Sequence, residues 1–166
     1  MNCLFFFLGL IFGSFINVIV YRLPRSESIV LPPSHCTSCQ HRISWKDNIP
    51  ILSYIILRGK CRFCKGAISI RYPVIELLTG LLFFTVFKKF GLGPMLFIRD
   101  LPLIILFVSI TFIDLEHKII PDVLSLGGLV LGLLTTWAVP DVGLILSLLG
   151  AAMGFFIFFS LSWIYN

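Results

Sequence analysis

With 166 residues, 58% of them hydrophobic and 13% charged, this chain is too oily for an ordinary water-soluble domain, whose apolar share is roughly 45–50% and charged share about 25%. A mean hydropathy of +1.01 predicts an all-α polytopic membrane protein with the lipid bilayer as its partner. The net charge of +5 calls for no nucleic acid, because most of it sits beside the predicted spans, where anionic headgroups attract basic segments.

Five apolar runs approach the ~20 residues that cross a bilayer: 3–21, 73–87, 101–113, 123–139 and 142–163. The second and third are short and must borrow flanking residues, with Lys88, Lys89 and Arg99 snorkelling at their ends. The first run has no basic stretch before it and no small-residue cleavage site after it, so it reads as an uncleaved anchor. Its end, GSFINV, sets Gly13, Ser14 and Asn17 on one helical stripe, the residue types that let helices approach closely and hydrogen-bond in lipid. Cys3 reads as a small buried hydrophobe.

A polar loop, 22–72, follows. It holds 9 of the 13 basic residues, Arg22 to Arg71, with only Glu27 and Asp47 against them. The positive-inside rule therefore predicts a cytoplasmic loop and an amino terminus on the other side. The Lys88/Lys89/Arg99 turn then falls outside, against the rule, and the larger loop outweighs it. Within the loop, CTSC (Cys36, Cys39) and CRFC (Cys61, Cys64) have the pairing and spacing of a structural four-cysteine zinc site. Disulfides are disfavoured in a reducing cytoplasm, a redox motif needs no second copy, and nothing else in the chain suggests electron transfer by an iron–sulfur cluster. Lys60, Arg62 and Lys65 favour thiolates. A closed four-sulfur site has no open catalytic position, so its task is to fold a loop too small to bury its own core.

Glu76 falls just inside the second span, where an ionisable residue is functional by default, although pairing with Arg71 would be a sufficient structural role. The third span ends in ITFIDLEHKIIPD, which places Asp114 at the cytoplasmic boundary. Glu116 faces another way on a helix, and His117 lies one turn from Asp114. Asp122, after Pro121 and before an apolar run, reads as a helix N-cap. Asp141, after Pro140, reads as a turn on the opposite membrane face.

Taken in order, GSFINVIVYRLPR, the two CxxC knuckles, NIPILSY, RGKC, RYPVIELLTG and IDLEHKIIPD resemble the type IV prepilin peptidases over nearly the first three quarters of the chain. The resemblance implies a bifunctional enzyme of the bacterial cytoplasmic (inner) membrane. Such an enzyme cleaves the leader from prepilins or pseudopilins and then N-methylates the new terminus with S-adenosylmethionine. It also implies that Asp114 is one of two catalytic aspartates and associates Gly59 and Lys60 with the methyl donor. Residue by residue, Gly59 reads equally well as a turn residue. The domains expected are a first helix (1–21), a zinc-knuckle loop (22–72) and a membrane peptidase region (73–166).

Two carboxylates are wanted because one, ionised, activates water while the other, protonated, donates to the scissile carbonyl. The family's second aspartate lies in a GxGD motif that these 166 residues do not contain. The expectation is a chain truncated relative to the family and poorly stable alone. A homodimer that joins two Asp114 side chains would restore the pair. The alternative reading is a non-catalytic adaptor of a pilus or type II secretion system that works through its zinc loop.

Overall fold

The computed structural model describes residues 2–136 and 143–165, which form helices α1 (Asn2–Arg22), α2 (Leu52–Ile56), α3 (Arg71–Phe90), α4 (Leu101–His117), α5 (Asp122–Thr135) and α6 (Gly143–Tyr165). Short 3-10 turns occupy Leu23–Arg25 and Trp45–Asn48, and a π turn at Leu96–Asp100 leads into α4. Among the described residues there are two isolated β-bridges and no strand. Among the described residues, two helices are long and apolar enough to cross a membrane, Cys3–Arg25 and Leu96–His117. The third predicted span thus gains the length it lacked by adding the π turn before it and the turn after it. The run 73–87 falls within α3, where Arg71, Glu76, Lys88 and Lys89 interrupt the apolar sequence. The far end of the fourth predicted span, the first residue of the fifth and the Asp141 turn lie outside the described residues.

The chain divides into two compact units, Met1–Ser125 and Leu126–Asn166. In the first, α1 packs chiefly against α3 and also against α4. One apolar cluster joins Ile16, Ile19 and Val20 of α1 to Ile75 of α3 and to Val108 and Ile113 of α4. A second joins Phe5, Phe83, Phe87, Leu96 and Leu101, with Phe5 stacked on Phe87 at 3.9 Å between centroids.

Glycine decides how closely α1 and α3 cross. A Cβ on Gly13 would lie 2.6 Å from the Glu76 Cα, and one on Gly9 would lie 2.7 Å from the Gly80 Cα. Lipid tails are as apolar as leucine, so helices in a bilayer gain little from hydrophobicity and must gain from contact distance. Spacing of four residues on both helices (9 and 13, 76 and 80) lines up these gaps on one face. The opposite face of α1 exposes Leu4, Phe7, Ile11 and Phe15, and α3 exposes Val74, Leu77, Leu78 and Leu81. Apolar stripes of this extent suit lipid, whereas in water they would be a liability.

The second unit contains α6 and the part of α5 beyond Ser125. The exposed side chains of α6 include Leu144, Ile145, Leu148, Met153, Phe156 and Trp163, the composition of a lipid-facing helix.

Candidate functional site

The two CxxC segments fold into equivalent knuckles. In the first, the Cys36 N–H donates to the His41 carbonyl at 2.9 Å and the Gln40 N–H to the Cys36 carbonyl at 2.8 Å. In the second, the Cys61 N–H donates to Gly66 at 2.8 Å and the Lys65 N–H to Cys61 at 3.1 Å. Each is closed by one bridge, His35 with Arg42 and Lys60 with Ala67. The residue after each second cysteine, Gln40 or Lys65, takes positive φ. The four sulfurs lie within 4.8 Å of one another, and Cys36 Sγ is 3.9 Å from Cys64 Sγ. A tetrahedral ion with Zn–S near 2.3 Å requires sulfurs ~3.8 Å apart, so the donor set fits a closed four-sulfur site.

The thiols influence one another. Cys36 is pulled down to about 6, first by the Cys39 backbone N–H and then, against burial, by the Ser38 N–H and neighbouring thiols. At Cys39 the His41 backbone N–H lowers the pKa, but burial and the sulfurs of Cys64, Cys36 and Cys61 outweigh it and push the group up to about 11. Ionising one thiol in such a cluster makes the next harder to ionise unless a cation joins them. Arg62 has another engagement. Its Nε and Nη2 donate to both oxygens of Asp47 at 2.8 and 2.6 Å, and this bidentate contact holds the Asp47 carboxyl below its usual range. That pair ties the Trp45–Asn48 turn to the second knuckle.

Glu76 fastens the loop to the membrane helices. It is buried in α3, and its Oε2 accepts the Ile51 N–H at 2.7 Å. Ile51 has φ of 59°, a conformation that costs a β-branched residue about 1–3 kcal/mol and persists only where its surroundings enforce it. Arg71 was a candidate partner for Glu76, yet it pairs with Glu116 of α4 instead. Five residues apart on α3, the two side chains point roughly 140° from each other, so Arg71 reaches α4 while Glu76 faces α1 and the loop. The Gly13/Ser14/Asn17 stripe makes the expected α1–α3 contact: Asn17 Nδ2 donates to the carbonyls of Gly13 (3.2 Å) and Tyr72 (3.1 Å).

A cleft of about 190 Å³ opens between α1, α3 and the loop. Ser14, Asn17, Arg22, Tyr54, Tyr72 and Glu76 are among its walls, and so are Cys36 and Cys61. Gly59 and Lys60 are not. Gly59 has φ of +66° and a Cβ there would lie 2.9 Å from the Tyr54 hydroxyl, so the turn after α2 requires glycine on conformational grounds alone. Lys60 is exposed beside it. The burial of Arg22, 4% exposed, escaped the sequence reading, in which it marked only the cytoplasmic end of a span.

Asp114 lies in the last turn of α4 with its side chain exposed. Its backbone carbonyl accepts the Lys118 N–H that closes the helix. Two residues on, Glu116 binds Arg71. His117 Nε2 lies 3.9 Å from Glu116 Oε2, so this histidine neighbours Glu116 as well as sharing a helix face with Asp114. Asp122 occupies the first turn of α5, where its charge complements the helix dipole. Among the described hydrogen bonds, the cap of that turn is the Pro121 carbonyl, which accepts from Leu124 and Ser125.

A four-sulfur loop docked on α1 and α3, an acid at the free end of α4 and, among the described residues, two helices of membrane length define a helical protein with membrane-spanning capacity and a loop whose four cysteines could hold a cation. Residues 7–90 match the Bacterial Peptidase A24 N-terminal domain, and residues 101–165 match the Type IV leader peptidase family. The chain belongs to this family. It is 44% identical, over 92% of its length, to a prepilin leader peptidase/N-methyltransferase of Myxococcus xanthus, covering 45% of that protein. It is 39% identical over 94% of its length to a type 4 prepilin-like proteins leader peptide-processing enzyme of Escherichia coli, covering 65% of it. Against the Klebsiella pneumoniae prepilin leader peptidase/N-methyltransferase the figures are 38% and 97%, with 73% of the relative covered. The chain thus spans about half to two thirds of the length of the first two relatives. No solved structure matches it.

Proposed function

We propose that this chain provides the leader-peptidase function of its family. It is a membrane-embedded aspartyl endopeptidase that acts on prepilins or pseudopilins at the cytoplasmic face of the bacterial inner membrane and then N-methylates the new terminus. The observation that carries the reading is the position of Asp114, in the exposed last turn of a membrane-length helix within the region matching the leader peptidases.

In this reading five helices span the bilayer: α1, α3, α4, α5 and α6. The loop between α1 and α3 is cytoplasmic and folds around a structural zinc ion held by Cys36, Cys39, Cys61 and Cys64. Zinc supplies no open coordination position there. Its role is to close two knuckles into one small domain, which Glu76 and Arg22 seat on the membrane helices.

For cleavage, Asp114 is one member of a carboxylate pair. One carboxylate, ionised, takes a proton from the attacking water, and the other, protonated, donates to the carbonyl oxygen of the scissile peptide. Glu116 is held by Arg71, so the completing carboxylate comes from outside α4. A second copy presenting its own Asp114 is one such source. The Arg71–Glu116 pair fixes the end of α4 against α3, and so fixes Asp114 relative to the loop. S-adenosylmethionine, when bound, supplies a methyl group: its S–CH3 bond breaks, an N–CH3 bond forms at the processed amine, and the amine releases a proton to water.

The test is a prepilin cleavage assay on the full chain in detergent beside Asp114→Asn, with bound zinc quantified in both. Cleavage by the parent alone, with equal zinc, supports the reading. If Asp114→Asn cleaves equally well, Asp114 is not a catalytic acid. If neither protein acts in cells while loss of Cys61 abolishes pilus or secretion function, the adaptor reading takes its place. Activity per chain that falls on dilution identifies a second copy as the source of the completing acid.

A further inference from the structure

Three buried polar groups line the cleft between α1, α3 and the loop, and one of them carries an acceptor with no partner. Arg22, 4% exposed, donates to the Ser28 and Pro33 carbonyls at 2.9 and 3.4 Å and meets no carboxylate among the described ion pairs. Glu76, 7% exposed, accepts the Ile51 N–H and a hydrogen bond from the Ser14 side chain, and meets no cation among those pairs. Asn17, 3% exposed, has its amide orientation set by two carbonyls on Nδ2, and its Oδ1 has no partner. All three line one cleft.

A buried charge is costly unless an opposite charge or several hydrogen bonds compensate it. Here a guanidinium and a carboxyl group share one cavity wall and do not pair with each other. A guanidinium has five N–H donors and Arg22 uses two, while a carboxylate has about four acceptor positions and Glu76 uses two, on Ile51 and Ser14. The group that satisfies both is a zwitterion with an ammonium and a carboxylate close together. Its ammonium donates to Glu76 and to Asn17 Oδ1, and its carboxylate accepts from Arg22. This is the chemistry of an α-amino-acid head.

We propose that this cleft binds the amino-acid head of the methyl donor, with Arg22 on its carboxylate and Glu76 and Asn17 on its ammonium. The assignment rests on the methyl-transfer reading above. It moves donor recognition from Gly59 and Lys60 to the junction of loop and membrane helices. Because Glu76 also holds Ile51, loop closure and donor binding share one side chain. Tyr54 and Tyr72, on the same walls, add aromatic faces that suit a cationic ligand.

The experiment is calorimetric binding to the full zinc-loaded chain in detergent, with three probes. S-adenosylhomocysteine has the head, 5′-methylthioadenosine lacks it, and L-methionine is close to the head alone. Two variants are compared with the parent: Glu76→Gln, whose amide oxygen can still accept the Ile51 N–H, and Arg22→Lys, which keeps charge but loses the fork. Thermal melts of each confirm folding. The expected result is S-adenosylhomocysteine binding that weakens at least tenfold in either variant, with methylthioadenosine changing less than twofold. Equal weakening of both nucleosides, or no weakening in folded variants, overturns the assignment while leaving methyl transfer standing. Failure of the parent to bind any adenosine probe overturns the methyl-transfer reading and the assignment together. Tight binding of methionine without S-adenosylhomocysteine would make the cleft a free amino-acid site and refute the proposal.

Discussion

Replacing Gly13 by alanine tests the crossing on which the cleft depends. The new Cβ would lie 2.6 Å from the Glu76 Cα and 3.1 Å from the Ile75 carbonyl oxygen. Backbone atoms cannot rotate away, so α1 and α3 must separate by roughly 1 Å to restore van der Waals contact. Overpacking of this kind costs about 1–3 kcal/mol. Helix propensity acts in the other direction, since alanine is better than glycine in a helix interior by about 1 kcal/mol. Gly150 provides the internal reference: it lies within α6 and a Cβ there meets nothing within 4 Å. Gly150→Ala therefore carries the propensity gain without the clash. Subtracting the two substitutions cancels propensity and leaves the overpacking cost. The expected outcome is Gly13→Ala less stable than Gly150→Ala by about 1–3 kcal/mol. The assay is reversible unfolding in mixed micelles on an SDS gradient, followed by far-UV circular dichroism. Equal stability of the two variants would refute the close crossing and, with it, the placement of Glu76 beside α1.

Two further outcomes follow from the same geometry. Cys61→Ser removes the most buried of the four sulfurs, so bound zinc should fall from one per chain to near zero, and limited proteolysis should cut within 30–70 while the helices stay protected; retained zinc would refute the four-sulfur site. Arg71→Met and Glu116→Gln should show a coupling of about 1–3 kcal/mol in a double-mutant cycle, with peptide cleavage reduced in each single variant and zinc unchanged. Additive effects would mean that the pair does not fix the end of α4.

Much of the site was legible in the sequence because its signals are local. A CxxC pair forms its own knuckle through hydrogen bonds a few residues apart, and the structure repeats one geometry at both pairs. The Gly13/Ser14/Asn17 stripe was equally readable, because a 3.6-residue period alone puts those side chains on one face. Gly9, four residues earlier, extends the same face, and that spacing was the available signal for the crossing with Gly80. The partner of Glu76 was not readable. Arg71 is close in sequence and opposite in charge, but only packing reveals that it faces Glu116, 45 residues away, while Glu76 reaches the strained backbone of Ile51.

By itself, then, the sequence determined class and inventory: hydropathy points the chain to a membrane, the spacing of four cysteines gathers four sulfurs that could hold a cation, and an ordered series of motifs identifies the leader-peptidase family. These properties depend on composition and on contacts within a few residues. The tertiary structure alone decided which buried charges meet partners and which do not. It brought Arg22, Asn17 and Glu76, from two helices, to one cleft, where among the described ion pairs Arg22 and Glu76 do not meet. Distances between helices far apart in the chain are set by how closely glycine lets their backbones approach, and that is a property of the packed crossing.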